Sequence, residues 1–220
     1  ASSVVRRVGL RDEKKAETLF ETVLDGVLQA QGYDPLALSL GTSAAADFDP
    51  GLCHASENLD ALAAGLSRSI NGRICLYGPP GTGKTAFGEW LADRLGKPLI
   101  LKRVSDLQSP FLGVMERNLA GAFAAAKRDD AILQIDEVDS FLRDRRQAER
   151  PWEVSQVSEF LTQLERFDGL FVASTNLMDN LDPAALRRFD YKICMDYLRP
   201  EQAATCLERS LAAWGVGSAS

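Results

Sequence analysis

Gly78-Pro79-Pro80-Gly81-Thr82-Gly83-Lys84-Thr85 is the stretch on which the fold turns. It fits the phosphate-binding pattern G-x-x-x-x-G-K-[ST], and its flanks suit that chemistry. Ahead of it, Arg73-Ile74-Cys75-Leu76-Tyr77 predicts a short buried strand. Behind it, Thr85 to Leu95 carries apolar residues at helical spacing. A strand, a glycine-rich turn and a helix start gather backbone N–H groups around one anion, with the positive end of the helix dipole behind them. Lys84 would reach the β- and γ-phosphates and the Thr85 hydroxyl would bind Mg²⁺. The residues expected to contact nucleotide are Gly78, Pro79, Pro80, Gly81, Thr82, Gly83, Lys84, Thr85 and Ala86.

Strands alternate with helices along the rest of the chain. Strands are predicted at Pro98–Val104, Ala131–Ile135, Leu170–Ser174 and Tyr191–Met195. Helices are predicted at Ser56–Leu66 (with a Ser cap), Glu116–Arg128, Pro151–Phe167 and Arg199–Trp214. That order implies a mostly parallel, five-stranded sheet covered on both faces. Upstream, Leu10–Gln31 has the spacing of an amphipathic helix, either docked on the core or serving as a joint to a partner, and Asp34–Pro50 reads as a linker.

Ile132-Leu133-Gln134-Ile135-Asp136-Glu137 is an apolar strand ending in two carboxylates. In phosphate-loop ATPases the strand next to the loop delivers an Asp near Mg²⁺, which Asp136 fits. Glu137 could polarise an attacking water, a role a small-molecule kinase does not need.

Composition narrows the alternatives. The 220 residues carry 25 basic and 31 acidic side chains, a net charge of −6 that disfavours a nucleic-acid-binding surface. No apolar run approaches the ~20 residues of a membrane span, and the expectation is a cytoplasmic protein. Cys53, Cys75, Cys194 and Cys206 form no C-x-x-C pair and read as reduced core residues. A single histidine, His54, rules out an H-E-x-x-H protease motif, which needs two, and leaves His-based metal sites and Ser-His-Asp chemistry unexpected.

Taken together, the phosphate loop, Ile135-Asp136-Glu137-Val138-Asp139-Ser140, Ala173-Ser174-Thr175-Asn176 and Leu181-Asp182-Pro183-Ala184-Ala185-Leu186-Arg187-Arg188-Phe189-Asp190 resemble an AAA+ ATPase of the FtsH-like AAA clade, of bacterial type. The resemblance covers about Phe48 to Met195. It implies a three-layer α/β sandwich with ATP and Mg²⁺ as ligands, and a homo-oligomeric ring (a hexamer) that remodels or unfolds protein substrates. Nucleic acid is not an expected partner, although a DNA-directed loader and a slow ATP-dependent switch are the alternatives.

Residue roles follow from the resemblance. Asn176 matches the residue that orients water near the γ-phosphate. Arg187 and Arg188 match the region that reaches a neighbouring subunit's ATP. Many relatives separate those arginines and here they are adjacent, with Arg188, directly before Phe189-Asp190, the first choice. Phe111 and Leu112, in Ser109-Pro110-Phe111-Leu112-Gly113, fall where the clade carries a pore loop, although a lone Phe also packs readily into a core. Glu116 would open the following helix. Arg143–Arg150 reads as a solvated loop, with Trp152 beside it either an interface anchor or a helix staple. Gly51-Leu52-Cys53 would hold the adenine.

The implied domains are residues 1–47 (helix and linker), 48–198 (the α/β ATPase domain) and 199–220 (the first helix of a truncated lid). Weak ATP affinity, little oligomerisation and no sensor-2 segment are expected of such a module.

Overall fold

The computed structural model describes residues 38–39, 48–109, 111, 113–140, 142, 151–178 and 181–213. The chain divides into two compact units, Ala1–Ala37 and Leu38–Ser220. The first, with the helix expected over Leu10–Gln31, lies outside the described residues, as do Leu112, Arg143–Arg150 and the Trp152 side chain.

Five strands run parallel: β3 (Gly72–Tyr77), β4 (Leu99–Arg103), β5 (Ile132–Asp136), β6 (Leu170–Thr175) and β7 (Tyr191–Asp196). Two antiparallel pieces, β1 (Leu38–Ser39) and β2 (His54–Ala55), extend the edges to give seven strands in the order β1-β4-β5-β6-β3-β7-β2. The expected five-stranded core is present, and the two additions are too short to leave a periodic signal. β5 and β6 are buried at every position, as strands covered on both faces must be.

Alternation along the strands sorts the core into two faces. Ile74, Leu76, Leu170, Val172 and Ile132 pack with Leu59, Ala63 and Leu66 of α1 (Leu59–Leu66) and with Phe87 and Leu91 of α2 (Lys84–Leu95). Phe171 of β6 turns the other way, stacking on Phe123 of α4 (Val114–Arg128) at 5.4 Å and meeting Phe160 of α5 (Pro151–Arg166) edge-on at 5.7 Å. The result is the expected helix–sheet–helix sandwich. A short α3 (Val104–Leu107) follows β4, α6 (Pro183–Leu186) precedes β7, and α7 (Pro200–Ala213) follows it.

Local chemistry sets the element ends. The cap of α1 is Asn58, whose side chain accepts from the Ala61 N–H at 2.8 Å, rather than Ser56. The Ser56 hydroxyl instead accepts from the Cys194 N–H at 3.0 Å, so cross-strand pairing takes the residue that sequence assigns to the helix. α4 starts after Gly113 with Glu116 in its first turn and Lys127 and Arg128 in its last, charges that suit the helix dipole. Asp190 closes β7 onto β3: its carboxylate accepts from the Arg73 N–H at 2.9 Å and its own N–H donates to Arg73 O at 2.9 Å.

Candidate nucleotide site

The C-terminal ends of β3, β5 and β6 converge at one edge of the sheet, where open α/β sheets place their ligands. β3 runs into the glycine-rich loop. Gly78 takes a φ of 137°, and a Cβ there would lie 1.9 Å from Met195 O. No side chain fits against β7 at that point. Gly81 and Gly83 have φ of 79° and 91°, left-handed conformations open to glycine at no steric cost, and α2 begins directly after them.

The Lys84 ammonium is buried and donates to Gly78 O at 2.8 Å and Pro79 O at 2.7 Å. Burial pulls its pKa below the usual lysine value, opposed by Asp136 and Asp139 nearby. The loop thus holds a desolvated cation against its own carbonyls, an arrangement an anionic phosphate would complement.

β5 is not paired with β3; β6 lies between them. Asp136 reaches the loop all the same, because α2 leans across β4, β5 and β6. The Thr85 hydroxyl donates to Asp136 Oδ2 at 2.7 Å. Asp136 Oδ1 accepts from Gln134 Nε2 and from the Ser174 hydroxyl, both at 2.8 Å. Hydroxyl and carboxylate oxygens are the hard donors that Mg²⁺ prefers, so Thr85 and Asp136 fit that ion.

Glu137 follows in an exposed, left-handed conformation with φ of 62°, a strain of roughly 1–2 kcal/mol for a residue with a Cβ. Its N–H points to the Ser174 hydroxyl at 3.4 Å. Asp139 ties this segment to the end of β6, its Oδ1 accepting from the Thr175 hydroxyl at 2.8 Å and the Asn176 N–H at 3.4 Å. Asn176 itself is exposed just beyond β6. Phosphate loop, Asp136, Glu137 and Asn176 therefore share one edge of the sheet.

Beside the loop lies a cavity of about 260 Å³ lined by Phe48, Leu52, Cys53, Gly81, Gly83 and Tyr197, among others. The family resemblance implies a base near Gly51-Leu52-Cys53, and Leu52 and Cys53 do line this space. Their N–H groups are already used: Gly51 donates to Asp49 Oδ1 at 2.8 Å, Leu52 to Asp49 O at 2.9 Å and Cys53 to Pro50 O at 3.2 Å. A base there would meet Phe48, Leu52 and Tyr197 together with the polar side chains of Asp49, Thr82 and Asp196. α7 braces the same turn, Gln202 Nε2 donating to Gly51 O and Cys53 O at 3.2 and 3.0 Å and Arg209 pairing with Asp49. Burial pushes the Cys53 and Cys75 thiols up to about 11 and about 12, so both stay protonated and inert. Cys206 is exposed, unlike the core residue expected of it. His54 Nδ1 donates to Tyr197 O at 2.9 Å, a structural tie. Among the described residues no group of three or more His, Cys, Asp and Glu side chains could hold a metal ion.

The remaining candidates lie away from this edge or face outward. Arg188 is anchored within its own chain, donating to Ala184 O at 2.7 Å and pairing with Glu165. Arg187 is exposed, and among the described residues no hydrogen bond or ion pair holds its side chain. Phe111 is 73% exposed, which removes the core alternative for it. Glu116 accepts from the Ser155 hydroxyl at 3.2 Å, joining α4 to α5. Sequence reasoning missed Gln134, Ser174 and Asp139 as partners of the site. A polar residue inside a strand buried on both faces was the available signal.

The model of the ATPase family associated with various cellular activities (AAA) matches residues 74–197. The chain belongs to that family, carrying its nucleotide-binding ATPase domain. Similar proteins include the ATP-dependent zinc metalloprotease FtsH of Ureaplasma parvum serovar 3, 36% identical over 139 residues, 59% of this chain and 19% of that one. A spastin homolog of Caenorhabditis elegans is 33% identical over 162 residues, 68% of this chain and 30% of that one. Among solved structures, the FIGL-1 AAA domain in complex with ADP aligns with a TM-score of 0.55 and 29% identity, covering 66% of this chain and 50% of that one. The chain thus spans less than a third of either curated relative. Among the described residues no helix is long and apolar enough to cross a membrane.

Proposed function

We propose that this chain is the ATP-hydrolysing module of a motor that remodels protein substrates, with active sites completed between copies arranged as a ring of six. The observation that carries the reading is the bond from the Thr85 hydroxyl to Asp136 at 2.7 Å, with Glu137 exposed and in a left-handed conformation at the next residue.

In this reading the glycine loop and Lys84 bind the β- and γ-phosphates, and Phe48, Leu52 and Cys53 receive the base. Thr85 and Asp136 would hold Mg²⁺, which when bound neutralises charge across the phosphates. Glu137 accepts a proton from the attacking water, and Asn176 orients that water with a carboxamide able both to donate and to accept. Arg187 is the residue offered to the ATP of a neighbouring copy. That reverses the preference drawn from sequence, because Arg188 is already engaged in its own chain. Phe111, and Leu112 beside it, would grip an extended polypeptide through apolar contact without sequence selectivity. Residues 48–198 form the ATPase domain, and α7 opens a helical lid.

The test is phosphate release at rising protein concentration. Turnover per subunit that climbs with concentration supports sites shared between copies. Turnover per subunit that stays flat, at a rate already high in dilute solution, contradicts them.

A further inference from the structure

We propose that Gln134 is a positioning residue for the Asp136 carboxylate, and that the glycine at position 88 makes the room it needs. The inference rests on the nucleotide-site reading above and deepens it.

Gln134 sits in the middle of β5 and is 0% exposed, flanked by Leu133 and Ile135, also at 0%. Residues two apart on a strand share a face, which sets its side chain beside that of Asp136. Its Nε2 donates to Asp136 Oδ1 at 2.8 Å. The Ser174 hydroxyl donates to the same oxygen at 2.8 Å, and the other, Oδ2, faces the Thr85 hydroxyl at 2.7 Å. Two donors clamp Oδ1, so the carboxylate cannot rotate, and Oδ2 is the oxygen presented to the phosphate loop. Exchanging the oxygen and nitrogen of the amide would set two acceptors against each other.

The other end of the carboxamide lies against α2. A Cβ on Gly88 would fall 1.4 Å from Gln134 Oε1 and 2.6 Å from its Cδ. The amide therefore occupies the volume that any side chain at position 88 would need. Oε1 is also a buried side-chain atom with no hydrogen-bond partner among the described residues.

Both features weaken the fold: an unsatisfied buried acceptor is destabilising, and so is glycine inside a helix. An apolar residue at 134 facing alanine at 88 would remove both at once. The contact keeps them while delivering an N–H to the carboxylate assigned to the metal. That donor is what the arrangement gains.

The test measures binding of a fluorescent ATP analogue to the full chain, in EDTA and across a Mg²⁺ titration. Gln134→Met keeps the volume and removes the donor. It is expected to melt at or above the wild-type temperature and to bind the analogue normally in EDTA. The Mg²⁺ concentration giving half-maximal tightening should rise ~10-fold or more, the usual effect of losing a residue that orients a metal ligand. Gly88→Ala, which displaces the amide without changing it, should reproduce that Mg²⁺ response and lower the melting temperature. In a Gln134→Val background the sign reverses: Gly88→Ala should raise the melting temperature by ~2–4 °C, as the better helix former, while the Mg²⁺ response stays weak.

A wild-type Mg²⁺ response in Gln134→Met overturns the proposal and leaves the nucleotide reading standing. If Gln134→Met does not fold, a wild-type response in the Gln134→Val, Gly88→Ala double variant overturns it equally. A wild-type chain that shows no Mg²⁺-dependent binding overturns both readings.

Discussion

Glu137→Gln is expected to reduce ATP turnover ~10²–10⁴-fold, the usual contribution of a general base, while ATP binding survives. The substitution keeps the shape and removes only the ability to take a proton from water. Glu137 holds φ of 62°, a conformation no easier for Gln than for Glu, so the kink after β5 should persist unchanged. Lys84 and Thr85, which bind the phosphates in this account, are bonded to Gly78, Pro79 and Asp136, and none of those partners is altered by the substitution. Single-turnover phosphate release alongside an equilibrium binding measurement separates the two effects. Turnover within a few-fold of wild type would remove Glu137 from the chemistry and favour a slow nucleotide switch.

Arg187→Ala should lower turnover of the assembled protein ~10³-fold or more, the scale on which a trans-acting arginine stabilises charge on the transferred phosphoryl group. Its melting temperature should not change, since the side chain is exposed and unbonded among the described residues, and such surface changes are usually neutral. Arg188→Ala should behave oppositely. It loses the bond to Ala184 O and the pairing with Glu165, for about 1 kcal/mol of stability once the partial exposure is allowed for, with a smaller effect on turnover. Urea denaturation of both variants, read beside steady-state rates, makes the comparison. Wild-type turnover in Arg187→Ala with a large loss in Arg188→Ala would return the role to Arg188.

Much of this arrangement is legible in the residues themselves. The phosphate loop is local chemistry, and strand–loop–helix needs only residues 73–95 to be read. The buried strands announce themselves as short apolar runs, and the carboxylate pair closes one of them. What sequence hides is what depends on distant partners. Sequence prefers Arg188 to Arg187 only for its place before Phe189-Asp190, and the pairing of Arg188 with Glu165, on another helix, cannot be read there. The Ser56 hydroxyl reads as a helix cap until the strand carrying Cys194 claims it. Position β6 between β3 and β5 follows from pairing alone, and two-residue strands such as β1 and β2 are too brief for any period to show. Gln134 reads as a blemish in an apolar run, and its meaning appears only with Gly88 and Asp136 around it.

The claim that the sites are shared between copies is tested most directly by mixing Glu137→Gln with Arg187→Ala. Each variant alone should be nearly inactive. In a mixed assembly, some interfaces join an intact Glu137 from one copy to an intact Arg187 from the next, so turnover should reappear as the two are titrated together and peak at intermediate ratios. A mixture no more active than the sum of its parts, under conditions where the copies are shown to co-assemble, would place the whole site within one chain and contradict the account.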